Sequence, residues 1–147
     1  MHKTTKTVGA GVATLATIAL TAGAASAAST SDIIKIGKYG ELSASHKIAW
    51  VKVKVICTED TVSAEASASL SQVTHGSLQS NTGTVSADNA FECSGDEEVV
   101  YIPVRRPTNG FKWVKGAARV NYVTFETWGP DGANEFNELG GRTIHLR

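Results

Sequence analysis

Cysteine is scarce in this chain: Cys57 and Cys93 are the only two in 147 residues. They stand far apart, so no C-x-x-C pair exists for dithiol chemistry, and no Cys/His cluster has the spacing of a zinc site. An excess of one charge is also missing. Fourteen basic residues balance fourteen acidic ones. Beyond residue 27 the count is twelve basic against fourteen acidic, a net charge near −2. That excludes the basic excess of a nucleic-acid binder, and it is too mild for an acidic disordered tail. Only one long apolar run occurs, near the start. No H-E-x-x-H, H-x-H or G-x-S-x-G motif occurs either, so neither a zincin nor a serine hydrolase with a nucleophile elbow is indicated.

The single apolar run is informative because of its flanks. Met1-His2-Lys3-Thr4-Thr5-Lys6 is a basic start, Val8 to Ala22 is uncharged, and Ala25-Ser26-Ala27 is a small-x-small exit. This order reads as a cleaved secretory signal peptide over residues 1–27. The run is too short and too rich in Ala, Thr and Gly for a membrane span, which needs about 20 strongly apolar residues. No cysteine follows the cleavage site to carry a lipid. The expected mature product is a released, extracellular protein of residues 28–147, long enough for one domain. In an exported chain, two cysteines most simply form one disulfide, Cys57–Cys93.

Alternation dominates the rest. Ala49, Val51, Val53, Val55 and Cys57 share one face, with Trp50, Lys52, Lys54 and Ile56 on the other, which is a half-buried strand. Val62, Ala64, Ala66, Ala68 and Leu70 alternate with Ser and Glu, so period outweighs the helix propensity of Ala. Val100, Ile102 and Val104 form another strand, which Pro103 makes an edge or an end because it lacks an N–H. Ala118, Val120, Tyr122 and Thr124 predict one face of a long strand, with Val123 and Phe125 on the other. Short strands are expected at 33–36, 84–87, 90–93 and 142–146. Gly37 to Gly40, His75-Gly76, Asn81-Thr82-Gly83, Ser94-Gly95-Asp96, Asn109-Gly110, Gly129 to Gly132 and Gly140-Gly141 read as turns. The sum is an all-β fold, an antiparallel immunoglobulin-like β-sandwich of about seven to eight strands with one disulfide.

Between Val51 and Phe125 the chain resembles a family of small secreted proteins of actinobacterial type. The matching features are a strand ending in Cys57, the alternating strand through Ser69-Leu70-Ser71-Gln72-Val73, and Cys93-Ser94-Gly95. They continue with Val100-Tyr101-Ile102-Pro103-Val104 and with Gly110-Phe111-Lys112-Trp113-Val114 running on to Val120. The resemblance implies export and an immunoglobulin-like sandwich, and it implies no activity. The tail after Phe125, rich in Asn and Glu, departs from it. The antibody pattern fits less well. No Trp follows Cys57 at short distance, and Phe91, two residues before Cys93, lacks a corner tyrosine's hydroxyl.

One surface stands out for binding. Arg105, Arg106, Phe111, Lys112, Trp113 and Lys115 gather four cations and two aromatics around Asn109-Gly110. Arg and Trp are enriched in binding hot spots, and such a loop suits a sulfated or carboxylated glycan or an acidic protein. The plain alternative is a strand burying Phe111 and Trp113 with Lys112 outward. A second surface is the tail from Thr127 to Gly141. There Asp131, Asn134, Glu135, Asn137 and Glu138 offer oxygens for Ca²⁺ without an EF-hand core, and a loop in which Trp128 and Phe136 form a local lid is the better reading. The paired carboxylates Glu59-Asp60 and Asp96-Glu97-Glu98 read as solvated turns, and His46, His75 and His145 as surface histidines. The expectation is a secreted, non-catalytic interaction domain, monomeric, with no metal or cofactor, no nucleic acid and no membrane span. Its partner is an extracellular protein or glycan. The alternatives are an envelope-associated structural protein without a discrete ligand and a hydrolase inhibitor presenting Ser94-Gly95-Asp96.

Overall fold

The computed structural model describes residues 31–147, and the predicted signal peptide lies outside them. The described residues form eight strands: β1 (Asp32–Ile36), β2 (Tyr39–Leu42), β3 (Ile48–Ile56), β4 (Ser63–Thr74), β5 (Ser77–Ser86), β6 (Glu97–Arg105), β7 (Gly116–Trp128) and β8 (Asn134–Leu146). One helical turn, α1 (Ala87–Ala90), lies between β5 and β6. The fold is all-β, as expected. In one layer β3 pairs with β6 on one side and with β1 and β2 on the other; in the second the order is β8-β7-β4-β5. Strand β2 joins the two layers, antiparallel to β3 and parallel to β8, with Tyr39 opposite His145 and Gly40 opposite Leu146. That parallel pair departs from the all-antiparallel expectation.

The core lies between the layers and forms one cluster. Val51, Val53 and Val55 of β3 and Val100, Ile102 and Val104 of β6 face Ala64, Ala66, Ala68 and Leu70 of β4 and Val120, Val123 and Phe125 of β7. The alternation read from the sequence therefore places the inward faces of β3, β4 and β6 correctly. Its alanines let β4 sit close to the opposite layer. The expected faces of β7 are wrong beyond Val120. Ser69 pairs with Tyr122 and Leu70 with Val120, so Asn121 is an extra residue in the ladder. This bulge switches the inward side from Ala118 and Val120 to Val123 and Phe125, and it turns Tyr122 outward. Asn121 is held there by Ser71 Oγ, which donates to Asn121 Oδ1 at 3.0 Å, while Asn121 Nδ2 donates to Ser69 Oγ at 3.1 Å. A second bulge, at Ile34, brings both Ile33 and Ile36 inward.

Several predicted turns lie inside strands. Tyr39 and Gly40 belong to β2, Asn81-Thr82-Gly83 to β5 and Gly140-Gly141 to β8. At Gly83 the reason is a close approach. A Cβ there would lie 2.0 Å from the Pro103 carbonyl oxygen, so β5 crosses β6 at a point only glycine permits. Asn81 Nδ2 donates to the Arg105 carbonyl at 2.9 Å across the same seam. Strand β6 pairs with β3 alone, so Pro103 does sit on an edge. The expected strand at 90–93 does not form: Ala90 closes α1, and residues 91–93 join no ladder.

Candidate functional site

The molecule has two ends with different chemistry. At one end Cys57, just past β3, is bonded to Cys93, just before β6, with a Cα–Cα distance of 4.9 Å. The expected pairing is therefore present. The Gly95 amide donates to the Cys57 carbonyl at 2.9 Å, and Gly95 has φ +84°, so the Ser94-Gly95-Asp96 turn folds back onto the bridge. Acidic residues gather at this end. Segments 57–62, 87–98 and 126–138 hold eleven of the fourteen carboxylates in the sequence.

The expected tail loop is not a loop. Strands β7 and β8 form one hairpin, from Gly116 opposite Leu146 to Trp128 opposite Asn134, with only residues 129–133 at the tip. The oxygens considered for Ca²⁺ are dispersed along it. Asp131 Oδ1 accepts from the Ala133 amide, and Asn134 donates to Glu126. Glu135 accepts from Ser31, and Asn137 donates to the Ser31 carbonyl. Among the described residues no group of three His, Cys, Asp or Glu side chains is placed to hold a metal ion. Trp128 and Phe136 form no lid, because each is a strand residue and Phe136 stands exposed.

The opposite end carries the basic-aromatic segment. His75 and Gly76, both at positive φ, make the two-residue turn that joins β4 to β5. The segment 106–115 crosses beside it without strand pairing. Trp113 is the largest fully buried side chain in the protein's described part. Its indole Nε1 donates to the Val104 carbonyl at 3.0 Å, and its amide donates to the His46 carbonyl at 3.0 Å. Trp113 therefore leaves the candidate binding set: it is the anchor that fixes the segment. Phe111 does the reverse of being buried beside it. No strand alternation operates here, and its ring lies 48% exposed against His75, with centroids 4.7 Å apart.

The remaining predicted residues divide. Arg106 is half-buried and its guanidinium Nη1 donates to the Gly110 carbonyl at 2.6 Å, closing the Asn109-Gly110 turn. Arg105, Lys112 and Lys115 are exposed. Beneath them, buried Gln72 of β4 works as a backbone surrogate. Its amide oxygen accepts from the Val114 amide at 3.0 Å, and its Nε2 donates to the carbonyls of Val114 at 2.8 Å and Ala117 at 3.2 Å. Gln79, opposite Gln72 in the ladder, is buried, and neither its Oε1 nor its Nε2 has a hydrogen-bond partner among the described residues. Thr74 Oγ1 beside it is in the same condition. Val73 and Leu78, paired across β4 and β5, stand on the outer surface at 65% and 73% exposure. They border a shallow groove of about 500 Å³ that also takes in Ala117 and Arg119.

A second cationic group is invisible in the linear sequence. Lys35, Lys38, Lys52, Arg142 and Arg147 line one cleft of about 340 Å³ together with Tyr39 and Glu41. They come from β1, the β1–β2 corner, β3, β8 and the residue that follows β8. The β1–β3 pairing sets Lys35 near Lys52, and the contact of Arg142 with Ile36 and the parallel pairing of β2 with β8 add the two arginines. Outward-facing Lys52, alternating with core valines, was the one local sign of it.

Close by, Lys54 and Glu97 form an exposed ion pair. The Lys54 hydrogen bond, and then its charge, hold the Glu97 carboxyl below the ordinary glutamate value, and Lys35 adds a smaller push in the same direction. Lys35 stands directly opposite Lys54 in the ladder, so Glu97 also offsets a cross-strand repulsion. No described helix is long and apolar enough to cross a membrane. The chain matches no family model, no curated protein and no solved structure.

Proposed function

We propose that this is a secreted, non-catalytic, immunoglobulin-like module that binds an acidic extracellular partner, protein or glycan, through the end bearing residues 105–115. Export rests on the basic, apolar and Ala25-Ser26-Ala27 order, and a disulfide suits an oxidising compartment. The strand order, with β1, β3 and β6 in one layer, β8-β7-β4-β5 in the other and β2 joining them, supports the immunoglobulin-like reading. The resemblance to small secreted actinobacterial-type proteins points the same way.

One observation carries the binding reading. Exposed Phe111, Val114, Arg105, Lys112 and Lys115 stand on a segment that cannot sag, because Trp113 and Gln72 pin it from below. Exposed aromatic and cationic side chains on a rigid base are what a partner can bury at low ordering cost. The test is capture by the immobilised mature protein from medium and envelope extract of the cells that make it. Reversing Arg105, Lys112 and Lys115 to Glu is expected to abolish capture while shifting stability by no more than about 0.5 kcal/mol per substitution. A reversed variant that keeps every partner of the parent removes this end from consideration.

A further inference from the structure

The cleft between β1, β2, β3 and β8 is a site of a different kind from the loop end, and it does not depend on it. Its walls are set by backbone contacts. The Gly37 amide donates to the Lys52 carbonyl at 2.7 Å, and a Cβ on Gly37 would lie 3.2 Å from Lys52 Cβ, so the β1–β2 corner rests directly on Lys52. On the other wall the Arg147 amide donates to Gly40 and the Leu42 amide to Arg147, which seats Arg147 against β2.

Three of the cations are held in place before any ligand arrives, Lys52 by the Tyr101 ring, whose centroid lies 5.7 Å from its Nζ. Arg142 spends one N–H of its fork on the Ile36 carbonyl, at 2.8 Å, and Arg147 lies over the Tyr39 ring at 4.9 Å. Among the described residues the one ion pair is Lys54–Glu97, so none of the five cleft cations has a carboxylate within 4.0 Å. Five cations and one carboxylate line the cleft of a molecule whose described residues carry a net negative charge. Like charges brought together in excess of their counter-charges favour an incoming anion, and the planar guanidinium fork matches the geometry of an oxyanion.

Two further groups narrow the ligand. Glu41 can only accept hydrogen bonds when ionised, which suits a ligand that also carries hydroxyls. Tyr39 keeps half its surface exposed at the lip, which offers a ring face to a sugar. The volume is at the small end of small-molecule sites, which begin near about 300 Å³. We propose that this cleft binds an anionic sugar: the oxyanion, a sulfate or a carboxylate on a pyranose unit, lies among Arg142, Arg147 and Lys52, with Tyr39 against the ring and Glu41 accepting from a hydroxyl.

The test is calorimetric titration of the mature protein at about 150 mM salt, where diffuse charge effects are screened. The probes are a heparin-derived disaccharide, a galacturonate oligomer, inorganic sulfate and a hexaglutamate peptide. The expected result is that at least one of the two saccharides binds, which also distinguishes sulfate from carboxylate. Arg142→Gln with Arg147→Gln is expected to weaken that binding by about tenfold or more, the loss of at least one strong charge-assisted contact. Tyr39→Ala is expected to weaken the sugar several-fold. Lys112→Gln with Lys115→Gln removes equal charge from the loop end and is expected to change binding by less than about twofold. Melting curves check that each variant folds, and Lys38→Gln with Lys52→Gln replaces the arginine pair if that pair does not. Failure of both saccharides to bind overturns the proposal. So does an equal loss in the loop variant, or sulfate or hexaglutamate binding as tightly as the sugars.

Discussion

The disulfide end and the loop end of this sandwich solve one problem in opposite ways. Each must fasten a long connection across the mouth of the same core. At the first, Cys57–Cys93 closes a span of 36 residues covalently. At the second, Trp113 and Gln72 fasten residues 106–115 by burial and hydrogen bonds alone. The difference lies in which state each device acts on. A cross-link restricts mainly the unfolded chain and persists when the fold opens. A buried indole acts only while the fold is closed. The loop end also carries Gln79 and Thr74, whose buried polar atoms have no hydrogen-bond partner among the described residues, whereas the hydrogen-bonded Ser94-Gly95-Asp96 turn backs onto the bridge. Any opening should therefore release the fastening of the loop end and leave that of the disulfide end intact.

The strongest way to break this comparison is Trp113→Ala. Removal of a fully buried indole is expected to cost roughly 3–5 kcal/mol, read by denaturant melts. Hydrogen exchange should rise first in residues 106–115. Uniform exchange across both ends would mean that the indole supports the whole core and not one end. Replacing Cys57 and Cys93 together by Ala comes next, with an expected loss of about 2–4 kcal/mol. Because that loss arises largely in the unfolded chain, amides that exchange through global unfolding should speed up alike at both ends, with no separate local rise in residues 106–115.

Gln72→Ala sharpens the contrast. It strips a partner from the Val114 amide and from two carbonyls, and is expected to cost about 1–3 kcal/mol. It should loosen the loop end while leaving amides near the disulfide unchanged. The smallest effect belongs to Glu97. Its carboxyl is held below the usual value of 4.5, so its pairing with Lys54 stabilises the fold above that value. The contribution is lost as pH falls through the lowered folded value. Glu97→Gln should flatten the acid limb of a plot of melting temperature against pH, and only slightly, because the pair is exposed.

The sequence made the inward faces of β3, β4 and β6 legible, because strict alternation has one physical meaning in a half-buried strand. It also made the cystine legible. It did not reveal the bulges at Ile34 and Asn121, since one inserted residue looks like a change of face. Yet Ala118, Val120, Val123 and Phe125 already carried the slip for a reader who allowed one. Glycine misled in the other direction. Gly83 and Gly141 are in strands because another backbone passes too close for a side chain, and composition alone does not separate that from a turn. The loop end was half legible: the cluster was visible, but the division between anchor Trp113 and exposed Phe111 depends on which ring meets Val104. The cleft was illegible, since Lys35 and Lys52 meet through the β1–β3 pairing and Arg142 joins them only by the long-range approach of β8 to β1 and β2.

The close approach at Gly83 has a consequence for how this protein behaves in company. Strands β5 and β6 are ten and nine residues long, and each has a ladder partner on one side only. Left open, two such rims would invite other chains to add to them. Because Gly83 lets β5 lie on Pro103, each rim occupies the other. Of the rims left over among the described strands, β1 is five residues long, bulged and carries Lys35, and the outer side of β8 is covered by β2 only at His145 and Leu146. A single hydrogen atom in place of a side chain thus helps to keep copies of this molecule from joining edge to edge.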